Sequence, residues 1–417
     1  MVQATRALDA VVRVPGSKSI ANRAIMCAVL ADGPSSIENV PCGDDTRLLL
    51  QGCRDLGAEI VDEGTRVTVE RGIDRDSPRP VVVDAGLGGT TSRFLTALSA
   101  TRAGAVTVTG APALRRRPMA GLHDALRELG ASLHWQGETG ALPVTVSGGP
   151  VPGGVVRVSA EHSSQFASSL LLAAPVMPSG LRLEVPGPRV SAGYLDMSMA
   201  VARSFGAVVE EDGDAIVLRP SPYQGRAYTV EPDASSASFV FAAAALVGGR
   251  VVVPDMAGSR LQPERRFVEV LEHMGCSVET VGSDLAVSRA PESPLRGVDV
   301  DMSEMSDAVP VLAAIAARAE GTTRIRGVAF IRGKESNRID GLAAELRKVG
   351  ASVGVDQDGL DIVPGPPTAA SVDSLDDHRI AMAFGVLGLA GGPISVGEPD
   401  VVAKSWPAFW DVLAGMS

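Results

Sequence analysis

Six stretches of almost unbroken apolar character recur along the chain, each closed by a small-residue turn and followed by a short strand-like run. They read AIMCAVLADGPSSIENV, FLTALSATRAGAVTVTG, SLLLAAPVMPSGLRLEVPG, FVFAAAALVGGRVVVPDM, VLAAIAARAEGTTRIRGVA and FGVLGLAGGPISVGEPDV. Their turn glycines, Gly33, Gly104, Gly180, Gly249, Gly321 and Gly392, lie 71, 76, 69, 72 and 71 residues apart, a period close to 72. Helices apolar nearly all round are predicted to be buried on every side.

A second pattern falls between the first: RDLGAEI, RELGASL, RSFGAVV, EHMGCSV and RKVGASV, from Arg54, Arg127, Arg203, Glu272 and Arg347. Each joins the end of an amphipathic helix, through a glycine at its C-terminus, to an alternating strand. GLHDALREL and GLAAELRKV carry a charged face and are predicted to lie outside. A 72-residue unit exceeds a propeller blade or solenoid repeat, and six of them exceed one core, so two groups of three are expected.

Composition narrows the class without changing this picture. The chain has 417 residues, 45% hydrophobic and 21% charged, with no long low-complexity tract, which excludes disordered and collagen-like chains. A net charge of -11 and only 4% aromatic residues argue against nucleic-acid partners. The longest apolar run, Phe239 to Val247, is too short for a bilayer, and MVQATRALDAVVRVPG lacks the apolar core of a signal peptide. No membrane association and a cytoplasmic location are expected. Cys27, Cys42, Cys53 and Cys276 form no C-x-x-C pair and the five histidines show no metal-ligand spacing, so neither disulfides nor metal are expected.

Candidate chemistry lies where the apolar helices begin. PGSKSIANR, GLGGTTSR, EHSSQF, EPDASSAS, SEMSDAV and LDDHRIA precede them, rich in the Ser, Thr, Asp and Gly of ordinary caps. Capping does not explain Lys18, Arg23, Arg93, His378 and Arg379, read as first-turn residues, where the helix dipole disfavours cations. Backbone N–H groups with cations beside them make a site for a small anion. LRRRP ending at Arg117 and Pro118, RGKESNR from Arg332 to Arg338, and VAKSWP with Lys404 add charge in connecting segments. Asp307, Glu335 and Asp377 among them supply proton carriers. GSKS has no P-loop glycine, and Gly86-Leu87-Gly88-Gly89 lacks the third glycine of a dinucleotide fold. His123, His134, His162 and His273 read as structural.

The ordered motifs PGSKS-x3-R, G-G-T-x2-R, R-x-R-P, SSQF, S-x2-Y, D-A-S-S-A-S, S-D-A, K-E-S-N-R, D-H-R and A-K-S resemble, end to end, the enolpyruvyltransferase family, in its 5-enolpyruvylshikimate-3-phosphate synthase branch. The resemblance implies an α/β (α+β) fold: a two-domain inside-out α/β barrel, each domain three βαβαββ-type repeats with helices inside. Residues 1–13 plus 231–417 would form a discontinuous domain and 14–230 an inserted one. The implied reaction transfers the enolpyruvyl group of phosphoenolpyruvate to the 5-hydroxyl of shikimate 3-phosphate, releasing phosphate, with no cofactor and no metal. Its partners would be those two small molecules, and the enzyme a monomer.

Carried over by motif, Lys18, Ser19, Arg23, Ser163, Ser164, Gln165, Ser191, Tyr194, Asp307 and Lys334 would hold shikimate 3-phosphate. Lys18, Gly89, Arg117, Gln165, Arg338, Arg379 and Lys404 would hold phosphoenolpyruvate. Addition to the enol ether needs a hydroxyl proton removed and a proton delivered to the methylene carbon, which assigns Asp307 as base and Glu335 with Lys18 as proton couriers. Leu87, Phe94 and Phe330 depart from residues common in the family, Asn, Pro and Asn. Glyphosate occupies the phosphoenolpyruvate pocket in that family, and Gly89 leaves room for it here. A UDP-N-acetylglucosamine enolpyruvyltransferase would carry a loop cysteine near ALRRRPMAG, which has none. A non-catalytic phosphometabolite-binding repeat protein would not need Asp307 and Glu335 beside the cations.

Overall fold

A computed structural model of the chain describes residues 7–160, 163–187 and 191–416. Glu161 and His162 of the EHSSQF motif lie outside the described residues. The chain divides into two compact units, Met1–Pro15 with Glu231–Ser417, and Gly16–Val230. The first division falls two residues later than the 13/14 boundary read from the sequence, for a local reason. Pro15 O accepts from Asp233 N at 2.8 Å, tying Pro15 to the discontinuous unit. Gly16 lies against the backbone of Asn39, within the inserted unit, so closely that a Cβ there would be 1.7 Å from Asn39 O.

In the inserted unit the inner helices are Lys18–Ala28, Gly89–Ser99 and Gln165–Ala173. In the discontinuous unit they are Ala234–Val247, Val309–Ala316 and His378–Leu389. All are buried over most of their length, as their lack of a polar face requires. The outer helices behave oppositely: Ala120–Glu128 buries Leu122, His123, Ala125 and Leu126 and exposes its charged side.

Five of the six repeats build the same four-stranded sheet. In the second repeat, Val81–Asp84 pairs in parallel with Val106–Thr109, which pairs antiparallel with Val144–Ser147, itself antiparallel to Ser132–Trp135. Val106 and Val108 face the core while Thr107 and Thr109 face outward, the alternation expected of a half-buried strand. With the helices Gly89–Ser99 and Ala120–Glu128 between strands, this is a βαβαββ unit. The sixth repeat is reduced to a parallel pair, Ala370–Val372 with Ile394–Val396. The described residues after that pair include the helix Phe409–Gly415 but no RKVGASV-type segment, which supplies the antiparallel hairpin elsewhere.

The first sheet of each unit takes its edge strand from the far end of that unit's sequence. Leu8–Val11 pairs with Gly249–Val253, and Ala227–Thr229 with Ser35–Glu38. The five glycines of the second pattern, Gly57, Gly130, Gly206, Gly275 and Gly350, all have φ between +94° and +101°. That left-handed conformation ends each outer helix and turns the chain into the hairpin, which is why the residue there is glycine. All four cysteines are unbridged. Among the described residues no helix is long and apolar enough to cross a membrane.

Candidate active site

Ser17, Gly88 and Ser164 occupy the N-cap positions of the inserted unit's inner helices, and none makes a side-chain capping bond. At the first two helices the first N–H groups are therefore not satisfied by cap side chains, which favours an external anion, while at the third Gln165 N donates to Ser163 Oγ. Lys18 is the first helical residue of its helix, and its Nζ meets Asp45 Oδ2 at 2.8 Å. Asp45, in the first turn of Asp44–Asp55, was not singled out from the sequence, although GDD before that helix is a recognisable start signal.

Arg23 and Arg93 stand in the second turns of Lys18–Ala28 and Gly89–Ser99, not the first turns expected. A turn deeper, each side chain reaches inward between helices instead of lying beside its own N-terminus. Arg23 is 2% exposed. Its Nε donates to Ser198 Oγ (2.7 Å), Nη1 to Ser19 O (2.9 Å), and Nη2 to Tyr194 O (3.1 Å) and Ser168 Oγ (3.4 Å). The Phe94 and Tyr194 ring centroids lie 5.6 and 5.7 Å from its Cζ. Among the described residues no carboxylate pairs with it. Burial pushes its pKa down to about 10, against smaller upward effects of Tyr194 and Cys27.

Arg93 donates from Nη1 to Gln165 Oε1 and from Nη2 to Pro118 O (3.2 Å), and lies over the Phe166 ring. It thus ties Gln165 to the loop that carries Arg117. A Cβ on Gly89 would be 2.5 Å from Arg117 Nη1 and 2.8 Å from its Cζ, so the guanidinium rests on the bare glycine backbone. Ser163 Oγ accepts from Gln165 N at 3.2 Å, and Ser164 is buried beside it. Ser191 caps the helix Ala192–Ser204 in the left-handed region at φ 54°, and its buried Oγ has no partner among the described residues. Tyr194 follows one turn later.

The discontinuous unit gathers a denser cluster. Arg338, 1% exposed, donates from Nε to Asp377 Oδ2 (2.7 Å), from Nη1 to Asp307 Oδ1 (3.0 Å) and from Nη2 to Glu335 Oε2 (2.9 Å). Arg379 Nη2 meets Asp307 Oδ2 at 2.7 Å and Lys404 Nζ meets Glu335 Oε1 at 3.1 Å. Lys334 lies over the Phe330 ring at 5.5 Å. Asp377, fully buried, also caps His378–Leu389 by accepting from Arg379 N at 3.0 Å. Burial would raise the Asp307 pKa, but Arg379, Lys334 and Arg338 outweigh it and hold this carboxyl well below its ordinary value. For Arg338, burial is likewise outweighed by Asp377, Glu335 and Asp307, which raise its pKa.

The residues singled out from the sequence are divided between the two units. Lys18, Ser19, Arg23, Gly89, Arg93, Arg117, Ser163, Ser164, Gln165, Ser191 and Tyr194 belong to the inserted unit, and Asp307, Lys334, Glu335, Arg338, Arg379 and Lys404 to the other. Ser168, Ser198 and the stacking role of Phe94 were missed. Their signal is faint: Ser198 lies one helical turn after Tyr194, where a buried serine is unremarkable by pattern. Among the described residues no group of three His, Cys, Asp or Glu is placed to hold a metal ion.

The family model for EPSP synthase (3-phosphoshikimate 1-carboxyvinyltransferase) matches residues 2–413 of the chain. A 3-phosphoshikimate 1-carboxyvinyltransferase from Methanosphaerula palustris is 40% identical over 412 residues, 98% of this chain and 96% of that protein. Among solved structures, EPSP synthase from Acinetobacter baumannii aligns with a TM-score of 0.81 at 27% identity, over 100% of this chain and 97% of that one. The enolpyruvyl transferase NikO from Streptomyces tendae shares the fold at a TM-score of 0.76 and 21% identity, over 100% and 96% of the two chains.

Proposed function

The chain belongs to the EPSP synthase family, and on that premise we propose how its residues divide the work of the reaction. The reaction transfers the enolpyruvyl group of phosphoenolpyruvate to the 5-hydroxyl of shikimate 3-phosphate and releases phosphate, in the pathway to chorismate and the aromatic amino acids. The observation that carries the residue assignment is Arg23, a buried guanidinium held by neutral acceptors only. Its positive charge is left for an anion, and shikimate 3-phosphate brings one to it. Ser19, Ser163, Ser164, Gln165, Ser191 and Tyr194 complete the cradle in the same unit. The family motifs assign Asp307 and Lys334 to the same ligand, and Lys18 to both substrates.

Phosphoenolpyruvate is held by Lys18, Gly89, Arg117, Gln165, Arg338, Arg379 and Lys404. Arg338 and Arg379 share Asp307, and Arg338 and Lys404 share Glu335. The arriving anion exchanges with these carboxylates for the cations. Loss of its cationic neighbours raises the basicity of Asp307, which then takes the hydroxyl proton as the oxygen attacks C2 of phosphoenolpyruvate. Glu335 and Lys18 deliver a proton to the methylene carbon, and in the elimination a methyl proton returns to this pair as the C–O bond to phosphate breaks and phosphate departs. Once released from these carboxylates, the cations stabilise the anionic intermediate by matching its charge.

Gly89 leaves the phosphoenolpyruvate pocket open to glyphosate, which should inhibit competitively with that substrate. A monomer acting in the cytoplasm completes the proposal, and its mass in solution checks the first part. The reading is tested by phosphate release. Phosphate should appear only when phosphoenolpyruvate and shikimate 3-phosphate are both present, and release with phosphoenolpyruvate alone would overturn it.

A further inference from the structure

Six non-glycine residues among those described have positive φ, and Leu375 is the one aliphatic side chain among them. It lies at φ 55° and Asp376 follows at 56°, a left-handed pair directly before Asp377. Aspartate visits that region because its short polar side chain can bond locally, an option leucine lacks. Strain of this kind persists only where the surroundings over-determine it. Here Leu375 N donates to Asp373 Oδ1 at 2.8 Å, Asp373 N to Oε2 of the buried Glu345 at 2.9 Å, and Asp377 N to Ser374 O at 2.9 Å.

Leu375 packs on the helix Arg338–Lys348 at Gly341, where a Cβ would lie 2.5 Å from Leu375 Cδ1. Three residues earlier on that helix, Arg338 donates from Nε to Asp377 Oδ2 at 2.7 Å and from Nη2 to Oδ1 at 3.3 Å. The two segments thus meet twice, Leu375 on Gly341 and Asp377 on Arg338. Asp377 Oδ1 also accepts from Arg379 N at 3.0 Å, so the carboxylate that orients one guanidinium also fixes the helix start that carries the other. A slip of this segment along the helix would turn Arg338 and shift Arg379 together.

We propose that Leu375 and Gly341 are positioning residues whose contact registers Asp377 against Arg338 and thereby sets the affinity for phosphoenolpyruvate. The proposal rests on the assignment of Arg338 and Arg379 to that substrate. The left-handed pair brings Leu375 and Asp377, two residues apart, onto one helix. A methyl on Gly341 would lift Leu375, and the turn with it, away from that helix. Neither residue is assigned to a substrate, so the effect passes through the two arginines.

The test compares the full-length enzyme with Gly341→Ala, Leu375→Ala, Leu375→Met and the double substitution of Gly341→Ala with Leu375→Ala, by steady-state kinetics. Gly341→Ala and Leu375→Ala should each raise KM for phosphoenolpyruvate about fivefold or more, part of the loss of a charged hydrogen bond, because Asp377 is displaced and not removed. KM for shikimate 3-phosphate should move far less. Leu375→Met, which keeps an apolar chain over Gly341, should stay near the wild type. The double variant should be no worse than Leu375→Ala alone, since the added methyl then meets no leucine. An unmoved KM for phosphoenolpyruvate, an equal rise for both substrates, or additive losses in the double variant overturns the proposal. Should Leu375→Ala fail to fold, Gly341→Ala decides by the same ratio. Arg379→Lys is measured alongside. If it too leaves KM for phosphoenolpyruvate unchanged, the assignment of the arginines has failed and the proposal falls with it; if it alone raises KM, only the positioning contact has failed.

Discussion

Arg23 and Arg338 are equally inaccessible, 2% and 1% exposed, yet one is surrounded by hydroxyls, carbonyls and rings and the other by three carboxylates. Burial weakens both cations. At Arg23 nothing reverses it, and the pKa drops to about 10; at Arg338 the carboxylates reverse it, and the pKa rises above the ordinary value. The helix starts follow the same division. The three inner helices of the inserted unit lack side-chain caps, whereas Asp233 and Asp377 cap two of the three in the discontinuous unit. The inserted unit leaves positive potential for a ligand, and the other neutralises most of its own. A buried charge without a counter-ion serves affinity at some cost to stability. A buried charge with three serves as scaffold, and its loss strands its partners.

The sharpest way to break this comparison is to remove each arginine. Arg338→Met leaves Asp377 and parts of Asp307 and Glu335 unpaired, and should cost about 3–5 kcal/mol of stability, read from urea unfolding. Arg23→Met removes a cation that gains no counter-ion, so its stability should change by no more than about 1 kcal/mol. Affinity for shikimate 3-phosphate should meanwhile fall by ~10²-fold or more. Equal destabilisation by the two substitutions would end the distinction.

Lys18 pairs with Asp45 in the inserted unit and is the one ion-paired cation in this comparison assigned to both substrates. Lys18→Met keeps the stem and should lower kcat by roughly a hundredfold with stability little changed, since a single partly exposed pair contributes little. Near-native turnover would place Lys18 outside the chemistry.

Asp307→Asn tests the compensated cluster through pH. The folded carboxyl is held below its unfolded value by Arg379, Lys334 and Arg338 against the effect of burial. Its stabilising contribution is therefore present above the unfolded pKa of about 4 and is lost as pH falls further, toward the folded pKa. The stability gap between wild type and Asp307→Asn should be widest near neutral pH and should narrow below about pH 4. Turnover should be lost while shikimate 3-phosphate still binds. A gap that narrows instead between pH 7 and 5 would mean the carboxyl is not held by these cations.

The smallest effect is expected at Gly89. An alanine Cβ would sit 2.5 Å from Arg117 Nη1, so the guanidinium must move, and it is the far end of a flexible side chain. Gly89→Ala should raise KM for phosphoenolpyruvate by on the order of tenfold and reduce glyphosate inhibition, with KM for shikimate 3-phosphate unmoved. A methyl tolerated without change would separate Arg117 from that pocket.

Periodicity determined by itself the six repeats, the buried helices, the amphipathic outer ones and the glycines that end them. Each of these depends on local chemistry, either on which faces of a helix are apolar or on which residue accepts positive φ. The motif strings likewise put Lys18, Asp307 and Arg379 at helix starts, where a cap and the residues beside it are neighbours in sequence as well as in space. What only the tertiary structure decided is the sign of each cation's surroundings. The partners of Arg23 include Ser168 and Ser198, 145 and 175 residues away, and those of Arg338 include Asp377, 39 residues away. No local pattern distinguishes a serine that orients a guanidinium from one that fills a helix interface, nor an arginine with no counter-ion from one with three. That difference arises when helices from separate repeats pack together and exclude water, because only then does the choice of neighbours fix how much of a charge remains for a ligand.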